Sequence, residues 1–122
     1  MKQIEIINAY KTLEELAANA NLTKFEQWGL FKIRKMLKPH IDFQMEQENR
    51  VRESFREYAD AEGNLHDADA DRFVEEMKSI GEMEIEMEEY ERPKVKMTDG
   101  ITFKIIEPLE AFVEFLPPED DA

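Results

Sequence analysis

An apolar residue recurs every three or four positions at the start of the chain. This spacing places the apolar side chains on one face of a helix, and it predicts a first helix from about residue 3 to 19. The polar stretch at residues 19 to 21 is expected to end that helix. The members of its apolar face are Ile6, Tyr10, Leu13, Leu16 and Ala17.

A second and much longer apolar series begins with Phe25 and Trp28. Thr23 and Glu26 form a T-x-x-E capping box in front of it, so we expect a helix that begins directly after Thr23. Pro39 lies inside the series, where it removes a backbone donor and clashes with the preceding turn. The pattern therefore predicts a long second helix that is kinked, or broken in two, near Pro39.

A stretch rich in aspartate, 58-YADAEGNLHDADAD-71, follows the second helix. Gly63 predicts a left-handed turn that stops this helix, and Asp67 or Asp69 is suited to cap a third one. The third helix is expected to end at Gly81. Its apolar stripe consists of Phe73, Val74, Met77 and Ile80.

After residue 81 the hydrophobic period changes from about 3.6 residues to 2. Methionine and isoleucine alternate with glutamate over residues 82 to 88, which is typical of a half-buried strand. The stretch 95-VKMTDGITFKI-105 has Asp99-Gly100 at its centre and predicts an antiparallel hairpin. Pro108 suits the first turn of a short last helix.

These elements predict an α+β fold that is mostly helical, with long amphipathic helices packed on a small antiparallel sheet or hairpin. A chain of 122 residues with 42% apolar residues is sufficient for one core. We therefore expect a single compact domain over residues 1–116. The acidic end at 117–122, PPEDDA, is typical of a disordered tail.

The charge is concentrated in one part of the chain. The formal net charge is -13, and residues 57–91 carry fourteen acidic residues against two basic ones. Such a field repels polyanions, so we expect no direct binding of nucleic acid and no binding to an anionic membrane. A protein partner with a basic face fits the acidic stretch better. No uninterrupted apolar segment indicates a signal peptide or a membrane span, so the chain is predicted to be soluble and unprocessed.

Residues 24–56 carry the opposite excess, with eight basic residues against five acidic ones. The run at Lys32, Arg34, Lys35 and Lys38 is expected to pair with the acidic stretch at residues 57–91, either within one molecule or across an oligomer interface. A homo-oligomer is therefore among the expected assemblies.

The aspartate-rich stretch does not match a calcium loop. An EF-hand loop that begins at Asp60 would need glycine at its sixth position, which is Leu65, and glutamate at its twelfth, which is Asp71. His66 has neighbouring carboxylates but no second nitrogen or sulfur ligand, and the chain contains no cysteine. We therefore expect neither a metal site nor a cofactor. A plain connection between two helices is the favoured interpretation.

The sequence also contains no motif for catalysis. His40 has no carboxylate partner that its spacing assigns, and Ser54 and Ser79 lie in no nucleophile motif. Paired glutamates can hydrolyse glycosides, but no aromatic pattern predicts the enclosing cleft that this reaction needs. The protein is therefore expected not to be an enzyme.

The glutamates that follow the third helix are the candidate partner-binding residues. At alternate positions of a strand such residues usually form a solvated face and protect an exposed edge from aggregation. Their spacing of about 6.7 Å would also give a row of charge with the general density of a nucleic-acid backbone. The residues are Glu82, Glu84, Glu86, Glu88, Glu89 and Glu91.

Five segments carry a resemblance to known proteins: 3-QIEIINAYKTLEELA-17, 22-LTKFEQWGLFKIRKML-37, 57-EYADAEGN-64, 72-RFVEEMKSIGEMEIEM-87 and 105-IIEPLEAFVEFL-116. In these segments the chain resembles small acidic proteins encoded by bacteriophages and prophages of Gram-positive bacteria, which largely lack an assigned function. The resemblance implies a setting in the host cytoplasm or in the virion, and it implies no catalytic residues.

Two functions follow as hypotheses. The first is a structural or assembly accessory that holds a virion component or another protein through its helices and its acidic face. The alternative is an acidic inhibitor that mimics nucleic acid and blocks a host defence protein or another DNA- or RNA-binding protein.

Overall fold

The structure is a computed structural model, and it describes residues 1–19 and 21–117. Most of these residues are helical, and three-residue strands form a two-stranded sheet. This confirms the coarse α+β prediction. The elements in chain order are α1 (Gln3–Asn19), α2 (Lys24–Ser54), a 3₁₀ turn (Arg56–Tyr58), α3 (Asp67–Gly81), β1 (Lys94–Lys96), α4 (Phe103–Leu109) and β2 (Glu114–Leu116).

The capping box at the start of α2 forms as the sequence predicts. The Glu26 amide donates to Thr23 Oγ1 at 3.1 Å, and the Thr23 amide donates to Glu26 Oε1 at 2.9 Å. Two amides of the first turn region therefore find acceptors. The second carboxylate oxygen, Glu26 Oε2, accepts the amide of Lys96 at 2.8 Å. One glutamate thus begins α2 and joins it to β1.

The α2 helix continues through Pro39 for 31 residues, so the predicted break is wrong. Proline removes a single donor from a helix that is bonded on both sides of it and packs against α1 and α3. The buried Gln3 side chain donates from Nε2 to the carbonyl of His40, the next residue, at 2.6 Å. The start of α1 is therefore fixed beside the proline, and a kink at this point stays a prediction.

The connection between α2 and α3 differs from the prediction in two details. The α2 helix ends at Ser54 and not at Gly63, although Gly63 does adopt the predicted left-handed conformation, with φ of +84°. His66 occupies the N-cap position of α3 without a side-chain capping bond, so the predicted aspartate cap is wrong. The helix ends at Gly81 as expected.

The predicted antiparallel hairpin is wrong, because β1 and β2 pair in parallel, with Val95 opposite Phe115. The α4 helix lies between them and is a short last helix, but it begins at Phe103 and contains Pro108 near its end, so the predicted start at Pro108 is wrong. Ile101 and Ile105 are buried four positions apart, whereas Phe103 is 85% exposed. A spacing of four residues places the two isoleucines on one face of a helix. In the predicted strand, Phe103 would have been on the same face as both of them.

The glutamate-rich stretch does not form the predicted strand either. Its only strand-like pairing among the described residues is an isolated antiparallel bridge between Lys2 and Glu84. The buried apolar side chains form one cluster contributed by α1, α2, α4, β1 and the turns on either side of α4. The members are Ile6, Ala9, Leu13, Leu16, Leu30, Ile33, Leu37, Val95, Ile101, Ile105, Leu109, Phe112 and Val113.

The second half of α2 packs against α3 outside this cluster. The Phe55 ring meets the Phe73 ring edge to face, with centroids 5.6 Å apart, and Arg72 lies 5.4 Å from the centre of the Phe55 ring. The predicted tail at 117–122 lies outside the described residues apart from Pro117. The single domain over residues 1–116 stays a prediction.

Replacing Gly29 with alanine tests its close contact with Pro93. A Cβ atom at Gly29 would lie 2.6 Å from Cβ of Pro93, whose ring cannot turn away. We expect Gly29→Ala to lower the free energy of unfolding by about 1–3 kcal/mol. Gly81→Ala is the matched control, since its Cβ would lie at an ordinary 3.5 Å from Ile4, and it should change stability by less than about 0.5 kcal/mol. Equal denaturant midpoints for the two variants would contradict the packing described.

Glu26 predicts a pH dependence of stability. Its partial burial raises the pKa, but hydrogen bonds from the Thr23 and Lys96 amides outweigh that effect, and the net pKa is lowered from 4.5. A lowered pKa in the folded state stabilises the protein above 4.5 and loses that contribution as the pH falls through the folded value. We expect Glu26→Gln to be less stable than the wild type by about 1 kcal/mol at neutral pH. Denaturant unfolding should show this difference shrinking below pH 4.5; a constant difference would disprove the role of the charge.

Candidate functional site

The aspartate-rich loop is organised by one carboxylate. Asp60 Oδ1 accepts the amides of Glu62 and Asn64, both at 2.9 Å, and Asp60 Oδ2 lies 2.6 Å from His66 Nε2. The hydrogen bonds from His66 and from these amides lower the pKa of Asp60. The oxygens that a calcium loop would use therefore already hold the turn. No group of three or more His, Asp or Glu side chains in the described part of the chain could hold a metal ion.

Residues 82–93, which we call the acidic segment, connect α3 to β1 without a helix or a strand of their own. Its beginning is tied to the N-terminus of the chain. The carbonyl of Met83 accepts the Gln3 amide at 2.9 Å, and the amide of Ile85 donates to the Met1 carbonyl at 2.7 Å. Backbone bonds to Met1 and Gln3 therefore fix the first half of the segment even though no strand ladder forms.

The second half of the acidic segment is tied to β2 and the turn before it. The Tyr90 ring stacks on Phe112, with centroids 5.5 Å apart, and its hydroxyl donates to the Ala111 carbonyl at 2.6 Å. Burial raises the pKa of Tyr90, so the hydroxyl keeps the proton it donates. Arg92 donates to the Val113 carbonyl at 3.2 Å. The segment is thus held at both ends by the folded core.

All six candidate glutamates are exposed, whereas the apolar residues between them are half-buried except for Met83, which is 41% exposed. Ile85, Met87 and Tyr90 are half-buried and pack against the core cluster. The alternation in the sequence therefore corresponds to a real alternation of exposure, produced by anchoring and not by pairing in a sheet. The exposed residues are Glu82, Glu84, Glu86, Glu88, Glu89 and Glu91. Their part in partner binding stays a prediction.

Two of these glutamates have cationic partners. Glu84 Oε2 lies 3.1 Å from the α-ammonium group of Met1, and Glu82 Oε1 lies 4.0 Å from Lys78 Nζ. The other four have no ion pair with any described residue, and we call them the unpaired glutamates: Glu86, Glu88, Glu89 and Glu91.

The predicted pairing of the basic run with the acidic segment does not occur among the described residues. Lys38 pairs with Asp42 on its own helix at 2.7 Å, and no cation of the run lies within ion-pair distance of the segment. The internal form of the prediction is therefore wrong. Pairing between molecules stays a prediction.

The structure has an exposed aromatic patch on α2 that the sequence pattern does not predict. Phe25, Trp28 and Phe31 are 81%, 56% and 44% exposed, and the rings of Trp28 and Phe31 stack with centroids 5.5 Å apart. The apolar series had suggested that these residues are buried. Leu30, Ile33 and Leu37 form the face that is buried, and the aromatic residues lie outside it.

The acidic segment ends beside this aromatic patch. Pro93 packs on Gly29, and a groove of about 280 Å³ lies between the helix and the segment. Phe25, Trp28 and Lys32 line it from α2, and residues 91–94 line it from the other side. A carboxylate, two aromatic rings and several cations therefore meet in one place.

None of the helices in the described ranges is both long enough and apolar enough to cross a membrane. No family model, curated protein sequence or solved structure matches the chain.

Removing the Tyr90 hydroxyl tests how the acidic segment is held. Tyr90→Phe keeps the ring stack but loses the bond to the Ala111 carbonyl, so we expect a loss of about 1 kcal/mol of stability and faster amide exchange over residues 82–93. Tyr10→Phe is the control, because the Tyr10 hydroxyl makes no hydrogen bond with the described residues. Unchanged exchange in Tyr90→Phe would show that the segment is held without this bond.

Proposed function

We propose that the chain acts without catalysis, by binding a protein with a basic face through the acidic segment. In this proposal it serves as a structural or assembly accessory of a phage or prophage, in the host cytoplasm or the virion. The setting rests on the resemblance described above. The binding surface rests on one observation: four exposed glutamates without ion-pair partners lie on a segment that is bonded to the core at both ends.

Anchoring matters because a flexible acidic chain would lose conformational freedom on binding. Such ordering costs about 0.5–1.5 kcal/mol for each immobilised side chain, and more when the backbone must also be fixed. Here the backbone of the segment is already held through Met83, Ile85, Tyr90 and Arg92. A basic partner would meet four carboxylates within six residues of a backbone that is already ordered. The arrangement therefore favours recognition over mere solubility.

A neutralised variant tests this surface. Changing the four unpaired glutamates to glutamine should weaken partner binding about tenfold or more, since each exposed ion pair contributes about 0.5 kcal/mol. The experiment is a tagged pull-down from host cells, with and without phage infection, followed by measurement of affinity for the recovered protein.

The control variant carries the same change of charge elsewhere. Glu57, Glu62, Glu75 and Glu76 are exposed and make no ion pair with a described residue, so changing them to glutamine alters the net charge equally. This variant should keep its affinity apart from a small long-range effect. Equal losses in both variants would mean that net charge alone, and not the acidic segment, determines binding.

The exposed row of glutamates supports a second candidate function. In an ideal strand, carboxylates at alternate positions would be spaced at about 6.7 Å and give a row of charge with the general density of a nucleic-acid backbone, and the glutamates at 84, 86 and 88 alternate with half-buried residues although no strand forms. The chain would then inhibit a host defence protein or another DNA- or RNA-binding protein by occupying its basic site. The recovered partner decides between the two candidates: competition with duplex DNA for that partner favours the inhibitor, and binding that DNA does not affect favours the accessory.

A further inference from the structure

We infer that the acidic segment of one molecule binds an exposed stripe on α2 of a second copy of this chain. The inference rests on the proposed function, because it takes the acidic segment to be a protein-binding surface and names its first partner. We call the acceptor surface the aromatic–lysine stripe. It consists of Lys24, Phe25, Trp28, Phe31, Lys32 and Lys35.

The stripe is one continuous face of a helix. Trp28, Lys32 and Lys35 are spaced by four and three residues, which places their side chains one above another along α2. The buried leucine and isoleucine residues of α2 point to the opposite side, towards the core. The stripe is therefore fixed by a long helix whose other face is fully packed, and it presents its side chains without rearrangement.

The three lysines of the stripe lack carboxylate partners among the described residues. They share one face of α2 with two large rings that are more than half exposed, Phe25 and Trp28, and Lys32 lines the same groove as these rings. Exposed aromatic side chains of this size are typical anchors of protein interfaces, where tryptophan and tyrosine contribute most of the binding energy. A suitable occupant must offer carboxylates beside an apolar surface.

The acidic segment has this composition. Its four unpaired glutamates supply the carboxylates, and Met83 at its beginning is 41% exposed. Among the described residues of one molecule, these glutamates and the lysines of the stripe form no ion pair with each other. The fold holds both sets of charges at fixed positions, and a neighbouring molecule can bring them together.

A polyanion is a poorer occupant than a second copy. Nucleic acid would extend past the stripe and meet the field of a molecule with a net charge of -13. Glu91 also lines the groove beside Trp28. A second copy brings only a short acidic segment into contact, and at physiological salt the repulsion between more distant charges is screened over about 8 Å.

The position of the two surfaces suits a symmetric pair. Glu91 of the acidic segment and Lys32 of the stripe line the same groove, with Trp28 beside them. In a dimer with two-fold symmetry, each acidic segment can face the partner's stripe while the aromatic patches meet near the axis. In such a dimer one interface pairs the glutamates of both acidic segments with the lysines of both stripes.

Trp28 reports on the interface directly, because it is the only tryptophan in the chain. Association should bury its ring, so its fluorescence emission should shift to the blue as protein concentration rises. Sedimentation velocity over the same concentrations should show a monomer converting to a dimer, and added salt should reverse both changes. A wild-type protein that stays monomeric at every concentration, with unchanged emission, would overturn the inference.

A charge-swap pair gives the decisive test. One variant carries Glu86→Lys, Glu88→Lys, Glu89→Lys and Glu91→Lys, and the other carries Lys24→Glu, Lys32→Glu and Lys35→Glu. Each alone should dissociate about tenfold or more readily than the wild type. An equimolar mixture should associate again, because the reversed acidic segment meets the reversed stripe and the two unchanged surfaces meet each other. A mixture that associates no better than its components would refute the proposed contact.

Two controls keep the outcome interpretable. A variant with lysine at Glu57, Glu62, Glu75 and Glu76 changes the net charge as much as the reversed acidic segment does, and it should still self-associate. If circular dichroism shows that a charge-reversed variant does not fold, the same positions are changed to glutamine in both variants. A mixture of the two glutamine variants should then associate more than either variant alone, because one acidic segment and one stripe in each pair are unchanged. Tight binding of a single-stranded oligonucleotide that Lys32→Glu and Lys35→Glu abolish, without self-association, would assign the stripe to nucleic acid and overturn the inference.

The result is separable from the proposed function. If the wild type does not self-associate but the glutamine variant of the acidic segment still loses a recovered basic partner, only the second-copy inference fails. If self-association depends on the glutamates but no recovered partner does, the acidic segment acts between copies and the accessory function fails.

Discussion

The close approach of Pro93 to Gly29 is the constraint on which the C-terminal half of the structure depends. Only a residue without a side chain lets the proline ring lie against α2, since a Cβ atom there would be 2.6 Å from the ring. This contact fixes where the chain crosses the helix and therefore where β1 begins. The amide of Glu114 then bonds to the Pro93 carbonyl at 2.9 Å, which sets the register of β2. The groove between α2 and the acidic segment follows from the same crossing.

The helices could be predicted because their signals are local. The capping box at Thr23 and the apolar period of α1 are both contained within a few turns of sequence, and both are observed. The sheet could not be predicted in this way. Its two strands have three residues each and lie about twenty positions apart, so their pairing is decided by packing against the core and not by the sequence between them. The Asp99-Gly100 pair forms a turn, but that turn leads into α4 and not into a hairpin.

The candidate surface was predictable in one part and not in the other. Alternating glutamates indicated which side chains of the acidic segment face solvent, and that holds although no strand forms. The aromatic patch was not found, because a count of apolar positions assigns every large ring to the core. The helical period of 3.6 residues could have shown this. Leu30, Ile33 and Leu37 lie on one face of α2, and Trp28 lies outside that face. A helix of 31 residues with exposed rings outside its buried face is a sequence signal for an interface.

The ion pairs of this protein show that its charges are not organised to hold distant elements together. Within the described residues, six ion pairs join residues three or four positions apart, and most of these involve exposed side chains. Such pairs contribute at most about 0.5 kcal/mol each, so the fold rests on its apolar cluster and on backbone hydrogen bonds. Net charge favours solubility wherever the charges lie. Solubility alone therefore does not explain why glutamates are concentrated in the acidic segment and lysines in the aromatic–lysine stripe, on the two sides of one groove. Segregated charges that contribute little to folding are available for contacts with another molecule, and the exposed rings between them give such a contact an apolar centre.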